Sequence, residues 1–141
     1  TVGTTYVQTT NVPWWVWCGA SGIGLISVAL LLVNNIRDIP TDSQVGKNTA
    51  AVRLGDRASR GAYLVTTAGG LILGSLTLAG GGSSYWWIAA TLLLLTGVPG
   101  AITIAKGAKG LELLSSLRNT GLYALAYGVL VGGGLALSSA I

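Results

Sequence analysis

Residues 13–42 read PWWVWCGASGIGLISVALLLVNNIRDIPTD, and this stretch decides the fold of the chain. No charged side chain occurs before Arg37, and a helix that spans a bilayer needs about 20 apolar residues. Pro13 suits a first helical turn, where a missing N–H costs nothing. The three tryptophans that follow suit the aromatic belt at a membrane–water interface. We therefore predict a transmembrane helix over residues 13–35 that ends in a charged segment.

The composition extends this interpretation to the whole chain. Of its 141 residues, 51% are hydrophobic and only 9% are charged, with a mean hydropathy of +0.68. A soluble domain carries roughly 25% charged residues. This sequence has too few charged residues to form the water-facing surface of a soluble domain. Further apolar runs cover residues 61–79, 84–105 and 116–137. The sequence predicts an all-α, polytopic transmembrane helix bundle with about four full spans, embedded in a lipid bilayer.

The basic residues indicate a topology. All eight Lys and Arg lie between residues 37 and 60 or between 106 and 118. We predict loops over residues 36–60 and 106–115, and two spans separate these loops, so both lie on the same side. Because cytoplasmic loops are enriched in Lys and Arg, we predict a multi-pass protein of the cell membrane with both loops cytoplasmic. The net charge of +4 has this explanation, and we expect no nucleic-acid partner, since no basic stripe alternates with aromatic residues.

Two of the four acidic residues, Asp38 and Asp42, lie four apart in the charged segment. On a helix this spacing places both carboxylates on one face. Carboxylate oxygens suit Mg²⁺, which keeps several coordination positions for water and substrate phosphates. Arg37, Lys47 and Arg53 lie close by in sequence and supply charge for an anion, with Arg suited to bidentate phosphate contacts. The pattern favours a site for a metal and an anion. The chain has no histidine, so catalysis by histidine and metal binding by histidine are both excluded.

A simpler interpretation stays open on spacing alone. Asp38 could pair with Arg37, and Asp42 with Lys47, in a solvated loop where such ion pairs contribute little. Pro40 stands between the two aspartates and perturbs a helix, which weakens the argument that the carboxylates share a face.

The order of residues adds a resemblance. Residues 34–42, NNIRDIPTD, followed by residues 46–55, GKNTAAVRLG, closely resemble the second aspartate-rich motif of the UbiA superfamily of intramembrane prenyltransferases. Within it they look like the 1,4-dihydroxy-2-naphthoate polyprenyltransferases of menaquinone synthesis, which carry NNxRDxxxD and GKxTxxVRLG. Residues 3–8 resemble the end of a preceding family helix, which we extend over residues 1–11. Residues 117–121 resemble the start of the last one.

This resemblance implies a domain organisation. The family has nine transmembrane helices, and residues 1–141 would form a single membrane domain that holds the end of the fifth helix and all of the sixth to ninth. The family's first aspartate-rich motif, which faces the second across the metal and the diphosphate, is absent. We therefore expect a C-terminal fragment that is inactive alone.

The resemblance also implies a reaction. Asp38 and Asp42 would act as the catalytic, metal-binding residues and coordinate Mg²⁺ bound to prenyl diphosphate. Arg37, Lys47 and Arg53 would neutralise the diphosphate as it leaves. The polyprenyl group would pass to 1,4-dihydroxy-2-naphthoate with decarboxylation, giving demethylmenaquinone.

Asn34 and Asn35 are implied to line the pocket near the aromatic ring or the metal. Two alternatives remain. One is a prenyltransferase of the same superfamily with another aromatic acceptor, against which the Asn34–Arg37 core argues. The other is a non-enzymatic small membrane subunit in which the charged loop only sets the topology.

Overall fold

The computed structural model of this protein describes residues 2–139, apart from the side chains of Thr9 and Ser139. Helices account for nearly all of its regular structure: α1 (Val2–Thr9), α2 (Trp14–Gln44), α3 (Ala50–Gly80), α4 (Trp86–Ala105), a short 3₁₀ turn (Gly110–Glu112) and α5 (Leu113–Ser139). The described part of the chain contains no β-strand. Four helical segments, led by α2, α3 and α4 and completed by residues 110–138, are long and apolar enough to cross a membrane. The predicted all-α transmembrane class is confirmed.

The four long helices form one bundle. Helix α2 packs mainly on α3, and α4 packs mainly on α5, while contacts of α3 with α4 and of α2 with α5 close the bundle. Two groups of buried side chains fill its interior, one towards each end. The first includes Val33, Ile36, Tyr63, Ile104 and Leu113, and the second includes Ile26, Leu78, Leu93, Tyr123 and Tyr127.

Glycines allow large tyrosine rings between closely packed helices. The ring of Tyr127 on α5 lies against Gly22 on α2 and Gly74 on α3, and its hydroxyl donates to the backbone oxygen of Gly19 at 3.0 Å. In lipid, helices associate mainly through van der Waals contact and interhelical hydrogen bonds, and small residues permit the close approach that both require. The glycine-rich spans therefore serve the packing of this bundle.

The charged segments meet at one end of the bundle. Arg60 on α3 donates to the backbone oxygens of Ile104, in the last turn of α4, and of Ala108, just after α4. At the opposite end, the hydroxyl of Ser138 donates to the backbone oxygen of Gly81 at 3.4 Å. The structure thus places the segments that carry the basic residues on one side, as the sequence predicts. That this side is cytoplasmic stays a prediction.

The predicted loops are longer than the connections that the structure contains. Helix α2 continues past residue 35 to Gln44, and α3 begins at Ala50, so only residues 45–49 connect them. Thr49 caps the start of α3, where its side chain accepts a hydrogen bond from the Val52 N–H. Helix α5 likewise begins at Leu113, inside the predicted loop 106–115. The physical reason is that loss of hydrophobicity ends a membrane span but not a helix, because backbone hydrogen bonds form in water as well.

Helix α3 is bent near its start. Gly55 has φ 79° and ψ 166° within the helix, a conformation that side chains with a Cβ rarely adopt. Residues 50–54 therefore form a short helical segment that points in a different direction from residues 56–80. The bend separates the end of the charged motif from the predicted span over residues 61–79.

Candidate functional site

Asp42 lies in the last turn of α2 and is buried, with 7% of its surface exposed. Its Oδ1 accepts a hydrogen bond from Lys47 Nζ at 3.2 Å, and the Lys47 N–H donates to the Asp42 backbone oxygen at 2.9 Å. The second carboxylate oxygen, Oδ2, has no hydrogen-bond partner among the described residues. A buried carboxylate oxygen without a donor is costly, so this atom is available to a ligand.

Asp38 lies one turn earlier on α2 and is only half-buried. Arg37 binds it in a bidentate manner, with Nε 2.8 Å from Oδ1 and Nη2 3.2 Å from Oδ2. Both ion pairs of the simpler interpretation, Arg37 with Asp38 and Lys47 with Asp42, are therefore present. The solvated loop of that interpretation is wrong, because Pro40 lies within a continuous helix and Asp42 is shielded from water.

The two asparagines lie on the preceding turn of α2, and both are half-buried. The Asn34 side-chain amide donates to the backbone oxygen of Leu30 at 3.4 Å. Asn34 is four residues before Asp38 and Asn35 is seven before Asp42, so each asparagine shares a helix face with one carboxylate. Within the described residues, neither Asn34 nor Asn35 forms a hydrogen bond with the carboxylate of Asp38 or Asp42.

Arg53 lies on the short segment of α3 that precedes the bend at Gly55. Its side chain is exposed and makes no hydrogen bond or ion pair with the part of the chain that the structure describes. The five-residue connection between α2 and α3 brings this segment to the same end of the bundle as Asp42. Arg53 is therefore an exposed cation at the end of the bundle that carries Asp38 and Asp42.

Sequence analysis did not predict a second group of charged residues, which stabilises this end of the bundle. Arg60 Nε donates to Asp56 Oδ2 at 2.8 Å, and the two terminal nitrogens bind backbone oxygens of Ile104 and Ala108 at 3.0 and 2.8 Å. The four-residue spacing of Asp56 and Arg60 is typical of ion pairs on a helix and would have indicated their contact. No signal in the sequence indicates the bonds to α4.

The residues fit one side of a divalent-cation site. Asp42 Oδ2 supplies a buried, unpartnered hard oxygen, and Asp38 supplies two further oxygens that Arg37 now occupies. No group of three or more His, Cys, Asp or Glu side chains gathers into a metal cage within the described residues. A small hard cation tolerates this arrangement, because it takes water and phosphate oxygens for its remaining positions.

Comparison with known proteins identifies the family. The sequence profile of the UbiA prenyltransferase family matches residues 1–109, a range that contains both aspartates and every cation named above. The chain belongs to the UbiA prenyltransferase family. This confirms the resemblance seen in residues 34–55, and the family match extends it over helices α1 to α4.

Three similar proteins carry the name 1,4-dihydroxy-2-naphthoate octaprenyltransferase. The protein of Mycobacterium tuberculosis is 38% identical over 135 residues, which are 96% of this chain and 45% of the relative. That of Mycobacterium leprae is 34% identical over 145 residues, covering 99% of this chain and 47% of the relative. That of Haemophilus influenzae is 49% identical over 53 residues, covering 38% and 17%. This UbiA-family chain thus spans about half the length of the relatives it matches along its whole length. No solved structure matches it.

Proposed function

We propose that this UbiA-family chain supplies one half of the active site of an enzyme that transfers a polyprenyl group from prenyl diphosphate to 1,4-dihydroxy-2-naphthoate, in the synthesis of menaquinone. The names of its relatives support the choice of substrates. The structural observation that carries the proposal is the buried Oδ2 of Asp42, which has no donor among the described residues. An isolated ion pair does not account for that atom, whereas a cation ligand does.

Asp38 and Asp42 are the residues that would hold Mg²⁺ together with the diphosphate of the substrate. Their four-residue spacing on α2 directs both carboxylates to one face. When bound, the metal ion supplies positive charge that stabilises the negative charge developing on the leaving group. Because Arg37 occupies both oxygens of Asp38 and Asp42 retains a free oxygen, Asp42 is the stronger of the two candidates for direct coordination.

Three cations would bind the diphosphate beside this pair. Arg37 and Lys47 already lie within hydrogen-bond distance of the carboxylates, and Arg53 is unpaired and exposed. Fixed positive charge next to a developing anion lowers the barrier for its departure. The allylic C–O bond breaks and its electron pair goes to the diphosphate, while the electron-rich ring forms the new C–C bond. The carboxyl group then leaves as CO₂, returning its electron pair to the ring, and its proton is released.

Asn34 and Asn35 would contact the aromatic acceptor or the metal-bound diphosphate. They lie one turn deeper in α2 than Asp38 and carry amide groups that both donate and accept hydrogen bonds. The apolar side chains of the spanning helices would enclose the isoprenoid tail. We place the charged end on the cytoplasmic side of the plasma membrane.

The decisive test uses the full-length enzyme, meaning a protein of the relatives' length that carries this sequence. Asp42→Asn keeps the size of the side chain but removes its charge, and we expect kcat/KM to fall by about 100-fold or more, the range found when an electrostatic group of an active site is lost. Glu112→Gln is the matched control, because Glu112 is an exposed carboxylate near the same end.

Two outcomes decide between enzyme and passive subunit. If Asp42→Asn and Asp38→Asn both transfer the prenyl group as fast as the unchanged enzyme, the carboxylates serve only the ion pairs and the proposal fails. If binding of Mn²⁺, measured by electron paramagnetic resonance in the presence of prenyl diphosphate, is lost in Asp42→Asn and kept in Glu112→Gln, the metal role is supported independently of turnover.

A further inference from the structure

Arg60 joins two helices that are far apart in sequence. Its guanidinium donates to Asp56 on α3, to the backbone oxygen of Ile104 in the last turn of α4 and to that of Ala108 in the connection that follows, over distances of 2.8 to 3.0 Å. Only 11% of its side chain is exposed. Each of the three nitrogens of the fork therefore donates one hydrogen bond within the protein.

The contacts of Arg60 lie directly beside the bend in α3. Asp56 follows Gly55, the residue whose positive φ makes the bend. Ser59, which precedes Arg60, is fully buried, and its hydroxyl donates to the Gly55 backbone oxygen at 2.8 Å. The residues on the long side of the bend are thus fixed to the body of the bundle through α4.

The segment on the short side of the bend carries Arg53. One end of this segment is fixed by the pair of Lys47 and Asp42, and Ala51 within it is fully buried. The other end joins the rest of α3 at Gly55, whose backbone conformation sets the angle between the two parts. The position of the Arg53 side chain relative to Asp42 therefore depends on how firmly the bend is held.

We propose that Arg60 is a positioning residue of the diphosphate site, which acts by holding the bend at Gly55 so that Arg53 projects towards the acidic pair. This inference rests on the proposed prenyltransfer function. Arg60 itself touches neither substrate nor metal. Its removal frees the segment over residues 50–54 to change direction, while the packing of α2 on α3 remains.

The first experiment measures that direction without turnover. Spin labels are placed at Leu54 and Leu114, which are 56% and 44% exposed, in a Cys18→Ala background of the full-length enzyme. We expect Arg60→Gln to broaden or shift the distance distribution between the labels. Arg118→Gln, which removes an exposed cation at the same end of the bundle, leaves the distribution unchanged. An unchanged distribution in Arg60→Gln overturns the proposal.

The second experiment measures the consequence for the substrate. Because a positioned cation contributes to binding, Arg60→Gln is expected to raise KM for prenyl diphosphate by about fivefold while kcat stays within about twofold. Arg60→Lys keeps a charge but loses the fork, so we expect its KM to lie between that of the unchanged enzyme and that of Arg60→Gln. A merely structural role lowers the amount of folded enzyme and hence the apparent kcat, with KM unchanged, and that result contradicts the inference.

A third variant covers the case in which Arg60→Gln does not fold. Asp56→Asn removes the negative charge that pairs with Arg60 at an exposed position and leaves the bonds to Ile104 and Ala108, so we expect a smaller change of the same kind in label distance and KM. No change in either quantity overturns the proposal. Failure of the proposed function is distinguishable, because it shows as full activity of Asp42→Asn, whereas the label distances report on Arg60 alone.

Discussion

Lys47 Nζ lies 3.2 Å from Oδ1 of Asp42, and the Lys47 side chain is 63% exposed while that of Asp42 is 10% exposed. The pair thus joins a buried acid on α2 to a cation that water and substrate reach freely. The backbone repeats the link, since the Lys47 N–H donates to the Asp42 backbone oxygen. The tight connection after α2 therefore places an exposed positive charge on the carboxylate whose Oδ2 lacks a donor among the described residues.

Lys47→Gln removes this charge and is expected to weaken binding of prenyl diphosphate. A charge-assisted hydrogen bond to an anion contributes enough that KM for the diphosphate should rise about tenfold. Steady-state kinetics of the full-length enzyme measure it. Lys106→Gln serves as the control, because Lys106 is exposed and makes no ion pair within the described residues. Equal increases in both variants would show a general effect of surface charge and contradict a specific role.

Gly74→Ala tests the close packing of the tyrosine against the helices. A Cβ at this position would lie 2.6 Å from Cε2 of Tyr127, whereas a Cβ at Gly61 on the same helix meets no atom within 4 Å. We expect Gly74→Ala to lower the free energy of unfolding by about 1–3 kcal/mol, the usual cost of overpacking. Unfolding titrations in detergent micelles compare it with Gly61→Ala. Equal stability of the two variants would show that the Tyr127 ring moves aside without a loss of stability.

Tyr63→Phe tests a buried hydrogen bond between helices. The Tyr63 hydroxyl lies 2.8 Å from the hydroxyl of Thr120, which in turn donates to the Ser116 backbone oxygen at 2.7 Å. Side-chain hydrogen bonds between membrane helices contribute modestly, so we expect a loss of about 0.5–1 kcal/mol in the free energy of unfolding. Tyr85→Phe, at a residue that is 65% exposed, should have no effect. An equally large loss of unfolding free energy in Tyr85→Phe would argue against a stabilising hydrogen bond between Tyr63 and Thr120.

Cysteine labelling tests the orientation in the membrane. In a Cys18→Ala background, we expect an impermeant maleimide to label Ser84→Cys on intact cells. The same reagent should reach Gln44→Cys only after the membrane is opened, because excess Lys and Arg mark the cytoplasmic side. Both positions are exposed, so accessibility within the protein does not decide the result. Labelling of Gln44→Cys from outside would reverse the predicted topology.

Several features followed from the sequence alone. The apolar runs predicted four spanning helices, because backbone groups in lipid must be satisfied within a helix and such a run has no other stable form. The basic residues predicted which helix ends lie together. Residues 34–55 indicated the family, because the order of residues in a motif is more specific than amino-acid composition.

Other features depended on the tertiary structure. Arg60 was one more basic residue in the sequence, yet its bonds to Ile104 and Ala108 connect residues 44 and 48 positions apart, a distance over which no local pattern carries information. The connections are shorter than the sequence predicted. Helix α2 continues beyond its apolar run to Gln44, and α3 begins at Ala50, where Thr49 caps it, and passes through the bend at Gly55 before its own apolar run starts. The burial of Asp42 could not be predicted either, because the exposure of a charge at a helix end depends on which helix packs beside it.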